Sequence, residues 1–384
     1  MDFRETPEQA LLREAVDKIA SRYGHQWYLA RARAGEKSDE LWDELGRNGY
    51  LGVNLPEAYG GGGMGISELA LVLEEITAHG CPLFLMIVSP AICGNVLAQF
   101  GSDELKKQWL PGLASGEVKM AFAITEPDAG SNTHRLSTTA TRDGEQYGIR
   151  GAKYYISGVD EAQAMLVVAR TGTDPSTGQA RLSLFVVPTD ASGLSWEVIP
   201  VEVTAPEKQF TVFFDDVVIP AANLIGEEHR GFRSVFAGLN PERIMVAALC
   251  NGLSRYALEK AAAYANERRV WDVPIGAHQG VAHPLAKAKI EAELARLMTQ
   301  KAAWLYDQGL EAGEASNMAK YAAAEAALAC LDQAIQVHGG NGLATEFGLA
   351  DLWFTARLMR TAPVSREMVL NFVAQQSLGL PKSY

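Results

Sequence analysis

The order in which helical and β-type patterns follow one another constrains this chain most. Up to about residue 118, apolar residues recur at spacings of three and four, as in Leu69–Ile76, which predicts helices. From 119 to 226, short β-branched and aromatic runs such as Leu182–Val187 alternate with turn residues, which predicts strands. After that, long alanine-rich stretches restore the helical spacing. Such segregation favours separate helical and β domains over an alternating α/β sheet.

The predicted fold class is therefore α+β, with three domains. An N-terminal all-α domain is expected at 1–118, a small β-sandwich or barrel at 119–226 and a C-terminal four-helix bundle at 227–384. The bundle prediction rests on three long helical stretches, at Ile244–Arg268, Pro284–Glu311 and Glu314–His338. A chain of 384 residues is also longer than one hydrophobic core usually grows.

Composition argues against several classes of partner. The formal net charge of -12 disfavours nucleic acid and anionic membranes. No window approaches 18 uncharged apolar residues, and the N-terminus lacks a basic stretch followed by an apolar one, so a cytoplasmic protein is expected. The four cysteines are far apart in sequence and no H-x-x-x-H pair occurs, so neither a disulfide framework nor a metal site is predicted.

A glycine-rich stretch at Gly60–Gly65 formally satisfies G-x-G-x-x-G and precedes a helical pattern. The residues before it, Asn54–Tyr59, form a proline-broken loop, whereas a dinucleotide-binding unit needs a strand there. We therefore predict that this stretch binds no dinucleotide.

Four separated segments carry chemically suggestive residues: Ala123–Asn132 (AITEPDAGSN), Gly151–Gly158 (GAKYYISG), Glu267–Gln279 (ERRVWDVPIGAHQ) and Gln336–Gly342 (QVHGGNG). The first offers backbone N–H groups and hydroxyls at a strand end, and the second an aromatic pair. The third offers arginines suited to phosphate, and the fourth glycines that admit a close ligand. Taken alone, the segments also have ordinary structural interpretations: a loop, a hairpin, a helix end and a helix C-cap, in that order.

Together, the four segments resemble the acyl-CoA dehydrogenase family in order and spacing over essentially the whole chain. The resemblance implies FAD as cofactor and a homo-oligomer, with a dimer of dimers expected, because the third and fourth segments of the family reach the FAD of a neighbouring subunit. The implied cofactor-binding residues are Phe122, Ile124, Thr125, Gly130, Ser131, Tyr155, Ser157, Arg268, Trp271, His278, Gln279, Gln336, Gly339, Gly340 and Ser365. The implied substrate-binding residues are Ser131, Asn240 and Arg243.

Several positions depart from the family pattern. Tyr155 stands where a tryptophan usually packs against the flavin ring, and Ser157 supplies the hydroxyl expected near flavin N5. Trp271 and Asp272 replace a phenylalanine and a glycine, so the conformation of that loop is left open.

The catalytic base is the residue on which the chemistry depends, because a carboxylate must remove the proton α to the thioester. Most of the family places a glutamate near the C-terminus, where this chain has Pro363. Isovaleryl-CoA and long-chain members place it before an arginine on an earlier helix, as in Glu242-Arg243, so Glu242 is the predicted base. The alternative is that Asn240, Pro241 and Glu242 form an ordinary helix N-terminus.

The implied reaction is FAD-dependent oxidation of an acyl-CoA to the trans-2-enoyl-CoA, with electrons passed to an electron-transfer flavoprotein. Pro363 lacks the backbone N–H that helps polarise the thioester carbonyl in the family. Either a ribityl hydroxyl of the flavin and another donor suffice, or the Val364 N–H serves, or the subunit is weak or inactive, which would suit a non-catalytic flavin- or CoA-binding subunit of a hetero-oligomer. A separate alternative is an acyl-CoA oxidase on the same scaffold that uses O2. The length and branching of the acyl chain are not predicted.

Overall fold

A computed structural model describes residues 4–382, and only the backbone at 134, 232–234 and 236. The chain runs from helices through a sheet and back to helices. The helices are α1 (Pro7–Ala34), α2 (Asp39–Arg47), α3 (Ile66–Ala78), α4 (Asn95–Phe100), α5 (Asp103–Ser115), α6 (Gly231–Glu267), α7 (Gln279–Asp307), α8 (Gly313–His338), α9 (Ala350–Leu358) and α10 (Arg366–Phe372), with π-helical segments at Ile87–Gly94 and Val373–Ser377. The strands are β1 (Met120–Ala123), β2 (Thr139–Asp143), β3 (Gln146–Ser157), β4 (Ala164–Thr173), β5 (Ala180–Pro188), β6 (Leu194–Ile199), β7 (Gln209–Pro220), β8 (Leu224–Ile225), β9 (Arg269–Val270) and β10 (Val273–Pro274).

Local sequence sets the ends of the first helix. Thr6 and Gln9 form a capping box, in which the Thr6 hydroxyl accepts the Gln9 N–H at 3.2 Å and the Gln9 amide oxygen accepts the Thr6 N–H at 3.1 Å. Pro7 occupies the first helical position, and Gly35 ends the helix with a φ of 70°. A non-helical Gly24 (φ 71°) bends the helix in between.

Eight strands form the sheet, in the order β6-β7-β3-β2-β4-β5-β8, with β1 parallel to β4 at its side. Strand β4 is buried on both faces: Leu166 and Val168 join a core with α4 and α5, whereas Met165 and Val167 face a core inside the sheet. Buried strands of this kind read as continuous apolar runs. Strand β1, which pairs with β4, is likewise shared between the two cores, with Met120 in the first and Ala121 and Ala123 in the second.

The N-terminal and C-terminal helices share one core, because α3 packs against α6 with Leu69 and Ile76 in the same buried cluster as Leu249 and Leu253. Helices α6, α7 and α8 form the centre of the C-terminal bundle, with α9 against α8. The α+β fold class is thus confirmed, and the domain limits stay a prediction. Within the described range, no helix combines the length and apolar character that crossing a membrane requires.

The glycine-rich stretch follows a 3-10 turn and a loop instead of a strand, as predicted. Asp307 of α7 fills the N-terminus of α3, where its carboxylate accepts the N–H groups of Ile66 at 2.7 Å and Ser67 at 3.0 Å. A helix N-terminus that already holds a carboxylate is not available to a phosphate.

Candidate active site

The first two segments lie side by side. The backbone oxygen of Thr125, just beyond β1, accepts the N–H of Tyr154 on β3 at 2.9 Å. Lys153 reaches back across this contact, and its ammonium donates to the Ile124 carbonyl and to Glu126 Oε1, each at 2.9 Å. The structure therefore brings Ile124 and Thr125 next to the strand that carries Tyr155.

Glu126 and Lys153 form a buried ion pair that the sequence interpretation had missed, with side chains 2% and 0% exposed. Glu126 also accepts the N–H groups of Ser137 at 2.6 Å and Thr138 at 3.0 Å. Burial raises the pKa of Glu126, but Lys153 and these hydrogen bonds outweigh it and bring the pKa to about 2. Burial brings the pKa of Lys153 down to about 8, against the raising effect of Glu126. The only sequence signal was a glutamate and a lysine inside two of the four segments.

Tyr155 projects from a break in the pairing of β3 with β7, between Lys153 and Ile156. Its φ of 57° is rare for a residue with a side chain, and its ring is 52% exposed, edge-on to Tyr154 at 4.4 Å. A strained backbone that presents an aromatic face is a recurrent property of ligand sites. The Ser157 hydroxyl, two residues on, donates to Gln209 Oε1 at 3.0 Å.

The remaining residues of the first segment lie in two different environments. Phe122 on β1 and Ile124 are half-buried and pack on the same apolar cluster as Leu239 of α6. Gly130 and Ser131 lie in an exposed turn. One side of the segment thus faces α6 and the other faces solvent.

Glu242 lies well inside α6, which begins at Gly231 with Arg230 as its N-cap residue. The alternative interpretation of Asn240 and Pro241 as a helix N-terminus is therefore wrong, because the helix continues through the proline. No helix N-terminus stabilises the charge of the Glu242 carboxylate at this position.

Burial raises the pKa of Glu242 to about 7, against the lowering effects of Arg243 and Lys320. Such a carboxylate can take up a proton near neutrality. Cys93 lies close enough for Glu242 to influence its thiol, and Cys93 Sγ donates to the carbonyl of Ala121 on β1 at 3.4 Å. Helix α6 and strand β1 both pack against the π-helical segment that carries Cys93.

Arg243 is held by its own turn of α6. Its Nη1 donates to Asn240 Oδ1 at 3.2 Å and to the Leu239 carbonyl at 3.4 Å. Its Nε is buried and has no hydrogen-bond partner among the described residues. An unpartnered buried donor beside the proposed base fits a polar group of a bound substrate.

The third segment forms a hairpin of β9 and β10, closed by Trp271 and Asp272. Both turn residues have positive φ, 49° and 66°, as a two-residue hairpin turn requires. The Trp271 side chain is 84% exposed. Arg268 and Gln279, at the end of α6 and the start of α7, are exposed.

A cleft of about 350 Å³ joins the third segment to the fourth. Its lining includes Trp271, His278 and Gln336, and His278 Nε2 is buried without a partner among the described residues. Helix α8 ends just beyond, where Gly339 adopts a φ of 59° and Gly340 is exposed. An apolar cleft with one unsatisfied ring nitrogen fits a planar, polar group such as a nucleotide base.

The segment around Pro363 lies against α8, where Lys320 donates to the Val364 carbonyl at 2.6 Å. The Ser365 hydroxyl accepts the Met368 N–H at 3.3 Å and caps α10. Ser365 is thus half-buried and already serves a structural role.

Three possible metal ligands that the sequence spacing did not reveal converge elsewhere, because α1 and α3 pack together. Ligand atoms of Asp17, Glu75 and His79 lie within 4.8 Å of one another. Glu75, however, already accepts hydrogen bonds from Arg13 and Arg255. Two guanidinium groups at one carboxylate oppose a further cation.

Comparison with known proteins identifies the family. Three family models match: the acyl-CoA dehydrogenase N-terminal domain over residues 6–117, the middle domain over 121–217 and the C-terminal domain over 229–378. Acyl-CoA dehydrogenase FadE12 of Mycobacterium tuberculosis is 58% identical over 384 residues, which cover 100% of this chain and 99% of the relative.

Solved structures agree with the fold. A glutaryl-coenzyme A dehydrogenase in complex with glutaryl-CoA superposes with a TM-score of 0.94 at 30% identity, covering 100% of this chain and 98% of the other. Butyryl-CoA dehydrogenase from Megasphaera elsdenii gives 0.93 at 28% identity, covering 98% and 100%. The chain therefore belongs to the acyl-CoA dehydrogenase family of FAD-dependent oxidoreductases.

Proposed function

We propose that the chain oxidises an acyl-CoA thioester to the trans-2-enoyl-CoA, with Glu242 as the base that removes the α proton. The observation that carries this proposal is the position of Glu242: inside α6, on the helix that packs against the same π-helical segment as β1, with a pKa raised to about 7. A carboxylate in that environment is ionised often enough at neutral pH to accept a proton, and basic enough to hold it.

Two sets of residues would bind different ends of FAD. Thr125, Ser131, Tyr155 and Ser157 would hold the flavin end, because their hydroxyls and the exposed Tyr155 ring suit an isoalloxazine. Bound FAD supplies the acceptor for the β hydrogen, which leaves the substrate as hydride. Trp271, His278 and Gln336 contact the nucleotide end of an FAD held by a second copy.

The thioester carbonyl needs a donor that Pro363 does not provide. The Val364 N–H is the next backbone donor along the chain, and Lys320 fixes the turn in which it lies. Losing one such donor lowers transition-state stabilisation by about 2.7 to 4 kcal/mol in a well-studied protease. The Val364 N–H therefore takes the role of donor in this proposal.

Anaerobic mixing with a panel of acyl-CoA thioesters tests the proposal, with flavin absorbance as the readout. We expect at least one thioester to bleach the flavin, and Glu242→Gln to slow bleaching by orders of magnitude. The matched control is Glu259→Gln, an exposed glutamate on the same helix. Normal bleaching by the Glu242→Gln protein would remove Glu242 as the base, and absence of bleaching with every thioester would favour a non-catalytic subunit.

In this proposal, the reduced protein passes its electrons to an electron-transfer flavoprotein, and both proteins are cytoplasmic. Reduced protein mixed with that flavoprotein should be reoxidised within the turnover time, whereas air alone should not reoxidise it. Rapid peroxide release in air would instead identify an oxidase.

A second copy of the chain packs on α7. Ile290, Leu294, Leu297 and Trp304 are 43–62% exposed and recur at helical spacing along one face. Exposed apolar stripes of this kind mark interfaces between subunits. Sedimentation should show a dimer of dimers for the natural chain and a smaller species for Leu294→Glu; an unchanged assembly in that variant would remove this face from the interface.

A further inference from the structure

Besides Lys153, Lys320 is a buried cation near the candidate site that no residue prediction included. Its side chain, on α8, is fully buried. Among the described residues, no carboxylate lies within ion-pair distance of its ammonium, which donates to the Val364 carbonyl at 2.6 Å. Burying a charge without a carboxylate partner is unfavourable, so a lysine kept in this position has another role to explain it.

One end of the Lys320 contact is the turn that follows Pro363. Fixing the Val364 carbonyl also fixes the plane of the peptide bond that it shares with Ser365. That turn lies next to the residue where the family's usual glutamate would stand. Lys320 thus ties α8 to the backbone that, in the proposed reaction, faces the thioester carbonyl.

Lys320 also acts on Glu242 through its charge. Helix α6, which carries Glu242, packs directly against α8, which carries Lys320, and across this packing the cation favours the ionised carboxylate. Burial lowers the pKa of Lys320 to about 8, so it is mostly charged at neutral pH.

Within the part of the chain that the structure describes, four other charged or titratable groups act on this pair. Arg243 and Cys250 face it from α6, Glu325 from α8 and Cys93 from the π-helical segment. Burial raises the pKa of the Cys250 thiol to about 12 and that of the Cys93 thiol higher, so both thiols are neutral. Glu325 is ion-paired with two arginines at the start and end of the same turn, Arg360 and Arg366. Arg243 and Lys320 are thus the cations that act on Glu242.

We propose that Lys320 is a positioning residue for the reaction: it fixes the Val364 turn against α8 and stabilises the ionised form of the Glu242 carboxylate. This inference rests on the proposed role of Glu242 as the base. It assigns to one side chain two effects that different substitutions separate.

Three substitutions make the separation. Lys320→Arg keeps a charge and a donor, Lys320→Gln keeps a donor without charge, and Lys320→Met keeps neither. The control is Lys260→Met, which removes a half-buried lysine that donates to the Phe347 carbonyl at 2.8 Å, away from Glu242. Each flavin-loaded variant is mixed anaerobically with an acyl-CoA that bleaches the natural protein, and the rate is measured from pH 5.5 to 9.

The acid limb of the rate profile should move to higher pH by about one pH unit in Lys320→Gln and Lys320→Met, because the ionised base loses a nearby cation. It should stay in place in Lys320→Arg and in the Lys260→Met control. The plateau rate should fall about tenfold or more in Lys320→Met, and less in Lys320→Gln, which retains a donor for Val364.

If the acid limb lies at the same pH in Lys320→Gln and Lys320→Arg, Lys320 does not stabilise the ionised Glu242 carboxylate. If the plateau rate of Lys320→Met equals that of the natural protein, Lys320 does not position the Val364 turn. If Lys320→Met does not bind flavin, the Gln and Arg pair still decides the first question, and Lys320→Leu, which also lacks a donor, decides the second by its plateau against that of Lys320→Gln. Failure of this inference leaves Glu242→Gln inactive, whereas failure of the proposed base leaves Glu242→Gln active, so the two results are distinguishable.

Discussion

Replacing Glu242 with glutamine should stabilise the fold while it removes activity. The pKa of Glu242 is higher in the folded protein than in the unfolded chain, mainly because burial disfavours the charge. A raised acid pKa means that the folded state binds a proton that the unfolded state has released. The resulting penalty is absent at acidic pH, grows as pH rises from the unfolded pKa, and is complete above the folded pKa of about 7.

The magnitude follows from the two pKa values. A rise from the ordinary 4.5 to about 7 corresponds to about 3 kcal/mol at pH 8, and to less than about 1 kcal/mol at pH 5. For 384 residues, an unfolding entropy of about 2 cal/mol/K per residue converts 3 kcal/mol to about 4 °C in the unfolding midpoint.

Thermal unfolding of flavin-loaded Glu242→Gln and natural proteins at pH 5 and pH 8 measures this difference. We expect a gain of about 4 °C at pH 8 and of about 1 °C at pH 5. Glu259→Gln, on the exposed side of the same helix, should show no gain at either pH. Equal gains at both pH values, or a loss at pH 8, would refute the reasoning that burial raises the pKa of this carboxylate.

Two further predictions concern how the chain holds FAD. Lys153→Met leaves a buried carboxylate without its cation, so it should lower the free energy of unfolding by about 3 to 5 kcal/mol and reduce the flavin-to-protein ratio. The exposed Lys287→Met control should change stability by less than about 1 kcal/mol, and an equal loss in both proteins would contradict the prediction. Trp271→Asn should suit the positive φ of the hairpin turn and keep the unfolding midpoint, yet lower flavin retention after desalting. Unchanged retention would mean that the cleft does not contact the cofactor.

Local pattern was enough for much of this molecule. Helical and strand periodicities depend on which face of an element is apolar, so they survive in the sequence and predicted the three-part fold. The four segments, read together, located Tyr155 on a strand and Gly339 at a helix end, because turn and cap chemistry is local. The sequence also predicted a loop, and not a strand, before the glycine-rich stretch, because the proline in that loop is a local signal.

Contacts between distant residues were decided only by the tertiary structure. The Glu126 and Lys153 pair, and the approach of Lys320 to Val364, join segments whose separation in sequence carries no signal of proximity. The helix that carries Glu242 begins far earlier than Asn240 and Pro241 suggested. Packing of α6 against the sheet and α3 overrides the local signal for a helix start at these residues. Sequence alone thus pointed to Glu242 as the candidate acid. Its burial, and with it the raised pKa of its carboxylate, exists only once α6 is packed, because desolvation is a property of everything around a side chain.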